Sequence, residues 1–176
     1  ARRLSGDSLC SRSACLYHPN NKAARVMVTG DVGSGTLGPS IEVVFVPHER
    51  VAHLWPHIEP LIEPAVRRVE RNLSVDDVRR DLTEGRSMAL AVTQEDKLIA
   101  AVIVAHAQHP RRTTLQIQFV GGTNMNVWIE AAMRELRGLA KFAGCTGIEA
   151  DARDGWMRHA DKIGFEKSWT HYEMEI

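Results

Sequence analysis

The sequence predicts an α/β domain over residues 41 to 176: a mixed, mainly antiparallel sheet with helices on both faces. Three observations carry this. Apolar β-rich runs and helical periodicities follow one another in the order β-α-α-β-β-β-α-β-α-β. The middle strands are joined by short polar turns, which makes an antiparallel meander. One amphipathic helix then separates the fourth strand from the fifth, as a crossover requires.

Ile41 to Val46 is the first β-rich run, closed by Pro47. Val51, Leu54, Trp55, Ile58, Leu61, Ile62, Ala65, Val66 and Val69 then recur at helical spacing. Pro56, Pro60 and Pro64 fall every fourth residue in that stretch. Each removes a backbone hydrogen bond, so a break near Trp55-Pro56 or irregular opening turns are expected. Ser74-Val75-Asp76-Asp77 reads as a capping box that opens a short helix through Val78 and Leu82, stopped at Gly85. Met88 to Val92 and Leu98 to Ala105 are apolar strands joined by the polar turn Gln94-Glu95-Asp96-Lys97. After the turn at Pro110-Arg111-Arg112 comes a strictly alternating strand, Leu115, Ile117 and Phe119 against Thr114, Gln116 and Gln118. It runs into Gly121-Gly122. Trp128, Ala132, Leu136, Leu139, Ala140 and Ala143 mark the main helix, which ends at Gly144-Cys145. Ile148 to Ala152 is a short strand, Trp156 to Ile163 a short helix stopped by Gly164, and Ser168 to Ile176 a last alternating strand.

Composition sets broader bounds. At 176 residues and 44% apolar, the chain can bury a sizeable core. Its formal net charge of zero gives no global field to recruit nucleic acid or an anionic membrane. No apolar run is long enough for a membrane helix, and no apolar segment follows Arg2, Arg3 and Arg12 as a secretory signal requires. Cys10, Cys15 and Cys145 lack the spacing of a zinc or redox pair and read as reduced thiols in a cytosol-like compartment. Residues 1 to 40 are rich in Ser, Gly and Asn, lean basic and show no sustained periodicity. They read as a disordered tail, or as an arm that orders on a neighbouring subunit. Gly30 to Gly35 is no phosphate-binding P-loop, because no Gly-Lys-Ser/Thr follows.

The chemistry concentrates at Gly121-Gly122. Strand, glycine pair, then helix is a common way to build an anion site, because helix-start N–H groups lack intrahelical partners and the helix dipole is positive there. The residues that follow are Thr123-Asn124-Met125-Asn126-Val127, with no further glycine and no cation. Asn124 and Asn126 are the side chains able to cap the helix and donate to a phosphate. Glu149 and Asp151 share one face of the fifth strand and are candidate general bases. His53 and His57 stand at the spacing of a helical metal pair, but no third ligand completes a site, so no metal is expected. Arg111-Arg112 is too small a basic patch for a nucleic-acid footprint.

Two local signatures carry a family resemblance. Leu136-x-x-Leu139-Ala140-Lys141-x-x-Gly144-Cys145 and Asp161-Lys162-Ile163-Gly164-Phe165, with the order of elements, resemble the GNAT N-acetyltransferase superfamily over about residues 41 to 176. Within it, Gly121-Gly122, Trp128 and Gly155-Trp156-x-Arg158 are most similar to small GNAT-like proteins of tailed bacteriophages. The resemblance implies a GNAT-like sheet whose fourth and fifth strands splay apart to hold acetyl-CoA. Backbone at Phe119 and Val120 would meet the pantetheine arm, and the loop through Gly121, Gly122, Asn124, Asn126 and Val127 would meet the pyrophosphate. In that register the family's two loop glycines are replaced by Met125 and Val127 and its cation by Asn124, so the loop is degenerate. Ala160 stands where the family's thiolate-protonating tyrosine usually sits, leaving Tyr172 as the substitute acid. His159 and Asp154 are weaker candidates.

Three functions follow as expectations. One is an acetyl-CoA-dependent N-acetyltransferase acting on a small amine or a protein amine. The second is a non-catalytic phage virion or assembly component, with residues 1 to 40 as an arm onto phage structural proteins or onto a second copy of the chain. The third is a toxin or host-modifying effector. The corresponding locations are the bacterial host cytoplasm or the virion.

Overall fold

The computed structural model describes residues 40–69, 73–152, 154–156 and 160–168. Among these residues a five-stranded sheet has its strands in chain order: β1 (Ile41–Val46), β2 (Ser87–Gln94), β3 (Lys97–His109), β4 (Arg112–Gly122) and β5 (Gly147–Ala150). The first four pair antiparallel and β5 runs parallel to β4. The β2–β3 turn places Glu95 and Asp96 both at positive φ, matching the right-handed twist of a tight hairpin. The readings that fell on residues 1–39, including Cys10 and Cys15, and on Arg158, His159, Tyr172 and the strand after Ser168, lie outside the described residues.

Helices cover both faces. On one, α1 (His48–Val66) buries Val51, Trp55, Ile58, Ile62 and Val66, and α2 (Val75–Thr83) buries Val78 and Leu82. They close over Ala89, Ala101, Ile103 and Phe119. On the other face α3 (Met125–Phe142) buries Trp128, Ile129, Ala132, Met133, Leu136 and Ala140 against Leu90, Val92, Val102, Val104, Leu115 and Ile117. No described helix is long and apolar enough to cross a membrane.

The expected break at Trp55-Pro56 is absent: α1 is continuous through all three prolines. Ala52, Pro56, Pro60 and Pro64 are all exposed. The carbonyls that lose their partners therefore lie on the wet side, where water can serve them, while the apolar stripe holds the helix to the sheet. Further along, Ser74 caps α2 as its sequence predicts. Its hydroxyl accepts from the Asp77 N–H at 3.2 Å, and the Asp77 carboxylate accepts from the Ser74 N–H at 3.0 Å.

Two further expectations change. The alternation along β4 does not keep one face. Ile103 pairs with Phe119 and Val104 with Ile117, so Gln118 is an extra residue in a bulge. Leu115 and Ile117 consequently point to the α3 core while Phe119 enters the α1 core. Beyond β5, which stops at Ala150 rather than Ala152, Trp156 ends a 3-10 turn (Asp154–Trp156), Ala160 is α-helical and Asp161–Ile163 is a further 3-10 turn; residues 157–159 of the expected helix lie outside the described residues.

Candidate functional site

The bulge marks where the sheet divides. β4 and β5 pair only from Thr114–Gly147 to Ile117–Ala150, yet β4 continues to Gly122. Residues 118 to 122 keep β3 on one side, and among the described residues no strand pairs with their other edge. In a strand alternate backbone groups point each way. The groups aimed at β5 beyond Ile117 are thus a short, unpaired edge at the root of a fork.

The glycine pair sits inside β4, not in a loop. A Cβ on Gly121 would overlap the Leu61 carbonyl oxygen of α1. Gly122 has φ +140°, and a Cβ there would lie 2.5 Å from the Ile99 carbonyl oxygen and the Ala100 Cβ. Both positions need glycine because main chain from α1 and β3 presses on them. Phe119 is buried against α1 and Val120 is half-buried toward α3, so each offers the fork backbone rather than side chain.

At the start of α3, Asn124 adopts the left-handed conformation (φ 51°, ψ 44°), which asparagine tolerates, and its side chain caps nothing. The Val127 N–H donates to the Asn124 carbonyl at 2.8 Å, and the Trp128 indole N–H donates to the Thr123 carbonyl at 2.8 Å. The N–H groups of Met125 and Asn126 have no intrahelical acceptor by position. Asn124 and Asn126 are exposed, Val127 is 52% exposed, and Met125 is half-buried, packed against the α3 core.

The two candidate carboxylates have different surroundings. Glu149 lies within the paired part of β5, opposite Gln116. Its oxygens stand 3.0 and 3.1 Å from His109 Nε2, with Arg112 Nη2 at 3.5 Å. Thr114 Oγ1 approaches the same His109 nitrogen at 3.3 Å, so these groups share one ring atom and do not form a relay through the imidazole. Asp151 stands one residue beyond the last β4–β5 pair, is exposed, and accepts from Gln116 Nε2 at 3.5 Å. Beside it on the same sheet face, the Ser87 hydroxyl donates to Gln118 Oε1 at 2.9 Å. The sequence reading did not single out His109, Ser87 or the two glutamines. Gln116 and Gln118 were visible only as the polar half of an alternation, and nothing local ties His109 to Glu149. Among the described residues no three His, Cys, Asp or Glu side chains stand close enough to hold a metal, and His53 and His57 are both exposed on α1.

No protein-family model and no curated protein matches the sequence. Solved structures do match. An aminoglycoside N-acetyltransferase in complex with CoA aligns at TM-score 0.59 and 9% identity, over 81% of this chain and 99% of that one. A ribosomal-protein-alanine N-acetyltransferase from Brucella melitensis biovar Abortus 2308 aligns at TM-score 0.59 and 13% identity, over 78% and 100%. An aminoglycoside acetyltransferase from an uncultured soil metagenomic sample, in complex with sisomicin, aligns at TM-score 0.60 and 12% identity, over 77% and 96%. At such identities the likeness is one of architecture. The chain has the GNAT fold.

Proposed function

We propose that this protein binds acetyl-CoA in the β4–β5 fork and transfers the acetyl group to an amine, on a small molecule or a protein. One observation carries the reading: β4 runs on through residues 118 to 122 after its pairing with β5 has ended, leaving a backbone edge for an amide-rich ligand. The residues present fit such a ligand. The edge at Phe119 to Gly122 supplies backbone donors and acceptors, and the N–H groups of Met125 and Asn126 face a pyrophosphate with the Asn124 and Asn126 side amides alongside. Met125 packs part of its side chain against the α3 core. Bound acetyl-CoA supplies an activated thioester, so the chain's own task is to orient the amine and remove its proton. Asp151, at the root of the fork, takes that proton; Gln116 steadies its carboxylate. Glu149, engaged by His109 and Arg112, braces β5. Tyr172 is the residue we assign to protonate the leaving thiolate.

Calorimetric titration with acetyl-CoA tests the reading, with saturable binding below millimolar ligand expected. No heat at millimolar ligand would end it.

A second reading, a non-catalytic scaffold of the phage type with residues 1 to 40 as its arm, has one feature in its favour. No Lys or Arg occurs from Thr113 to Met133, so the helix start lacks the cation of the family's loop. It predicts no acetyl-CoA binding and co-sedimentation of the full chain with virions.

A further inference from the structure

A second cleft lies at the opposite end of β5 from the fork. It measures about 280 Å³ and opens between the C-terminal half of α3, the start of β5 and the segment after the turn Asp161–Ile163. Its floor is apolar, made by buried Met133 and Ile163 with half-buried Ile148 and Phe165. Trp156 holds the Phe165 ring edge-on, with centroids 5.8 Å apart.

The rim is cationic. Arg137 and Lys141, one helical turn apart on α3, both line the cleft, and no Asp or Glu is among its described lining residues. Arg137 Nη2 donates to the Ile163 carbonyl at 2.7 Å, which anchors the guanidinium, and its other N–H groups make no hydrogen bond among the described residues. Lys141 makes no ion pair or hydrogen bond among the described residues. Thr146, whose hydroxyl donates to the Thr113 carbonyl at 3.3 Å, and Cys145 also line the cleft. Burial pushes the Cys145 thiol pKa up, so the thiol stays neutral and does not offset the two positive charges.

Two cations that meet no carboxylate among the described residues, over an apolar floor, complement one ligand chemistry. We propose that this cleft binds a small amphiphilic carboxylate, its chain or ring on the Met133–Ile163–Phe165 floor and its carboxylate between Arg137 and Lys141. A bare phosphate would leave the apolar floor wet, and a neutral alcohol would leave the cations unpaired. The volume lies below the roughly 300–1,000 Å³ of sites for drug-sized ligands, which limits the occupant to the size of octanoate or phenylpropionate. The inference does not depend on what the β4–β5 fork binds.

The test uses the full chain and reads alkylation of Cys145 by mass spectrometry, with the Cys10 and Cys15 peptides as internal controls. Millimolar octanoate is expected to slow alkylation of Cys145 at least threefold without affecting the controls. Octanol and inorganic phosphate at equal concentration are expected to leave the rate unchanged. Lys141→Glu, at an exposed position, should lose the protection. No protection by octanoate, or equal protection by octanol, overturns the proposal without reference to any variant, and so does protection that survives Lys141→Glu.

Discussion

A methyl group at position 121 would overlap the Leu61 carbonyl oxygen and come within 3.0 Å of the Ile62 Cα, both main-chain atoms of α1. A backbone carbonyl cannot swing aside as a side chain can, so the helix or the strand must move. Gly121→Ala is therefore expected to destabilise the fold by about 1–3 kcal/mol, the usual range for overpacking, in urea unfolding. Gly138 is the contrast. It lies within α3, with nothing within 4 Å of a Cβ built there, so Gly138→Ala should stabilise by roughly 0.5–1 kcal/mol. Equal effects of the two substitutions would mean that α1 does not rest on Gly121. The sequence singled out the glycine pair at 121 and 122, but not the close packing that requires it. The local pattern suggested an anion cradle; the contacts come from Leu61 and Ile99, which no local pattern connects to this strand.

Elements were legible where their logic is local. The α2 capping box closes within four residues, Ser74 to Asp77, and it forms as the sequence indicates. Its carboxylate titrates in consequence. The Ser74 hydroxyl above all, then the Ser74 N–H and Arg80, hold the Asp77 pKa down to about 2 from the usual 3.8. A value depressed on folding makes a contribution that is complete above the unfolded pKa and disappears as pH falls towards the folded one. The box should thus support α2 fully above pH 3.8 and weaken progressively towards pH 2. Asp77→Asn is expected to flatten that part of the stability–pH curve relative to wild type, measured by urea unfolding at several pH values; an unaltered curve would mean the box does not operate in solution. Elements whose logic is not local read less well. The prolines of α1 break a helix only if their orphaned carbonyls are denied water, and their shared exposure depends on which face the sheet covers. The bulge at Gln118 is invisible in the alternation of Leu115, Ile117 and Phe119, because only pairing with β3 reveals that Phe119 has changed sides.

At the scale of the whole molecule, the fork is where chain order, the bulge and the short β5 meet. The order of elements as far as β5 was readable from periodicity, but the end of β4–β5 pairing was not, since it depends on the length of a strand only four residues long. The two candidate carboxylates looked equivalent in sequence, two residues apart on one strand face. The fold separates them. Glu149 faces His109 and Arg112, contacts that tie β5 to the β3–β4 turn. Among the described residues Asp151 has a single long hydrogen bond, from Gln116, and it stands at the opening. If Asp151 removes the amine proton, Asp151→Asn should lower kcat for acetyl transfer by roughly 10²–10⁴-fold, the usual worth of a positioned base. The KM for acetyl-CoA should change little, because the backbone edge that meets the pantetheine is untouched. Glu149→Gln should leave kcat within about tenfold and show its main effect in stability, as the His109 and Arg112 contacts weaken. Equal losses of kcat from both substitutions, or none from Asp151→Asn, would move the base elsewhere in the fork. Because acetyl-CoA binding is measured separately by titration, such a result would overturn the assignment of Asp151 while leaving the binding site in place.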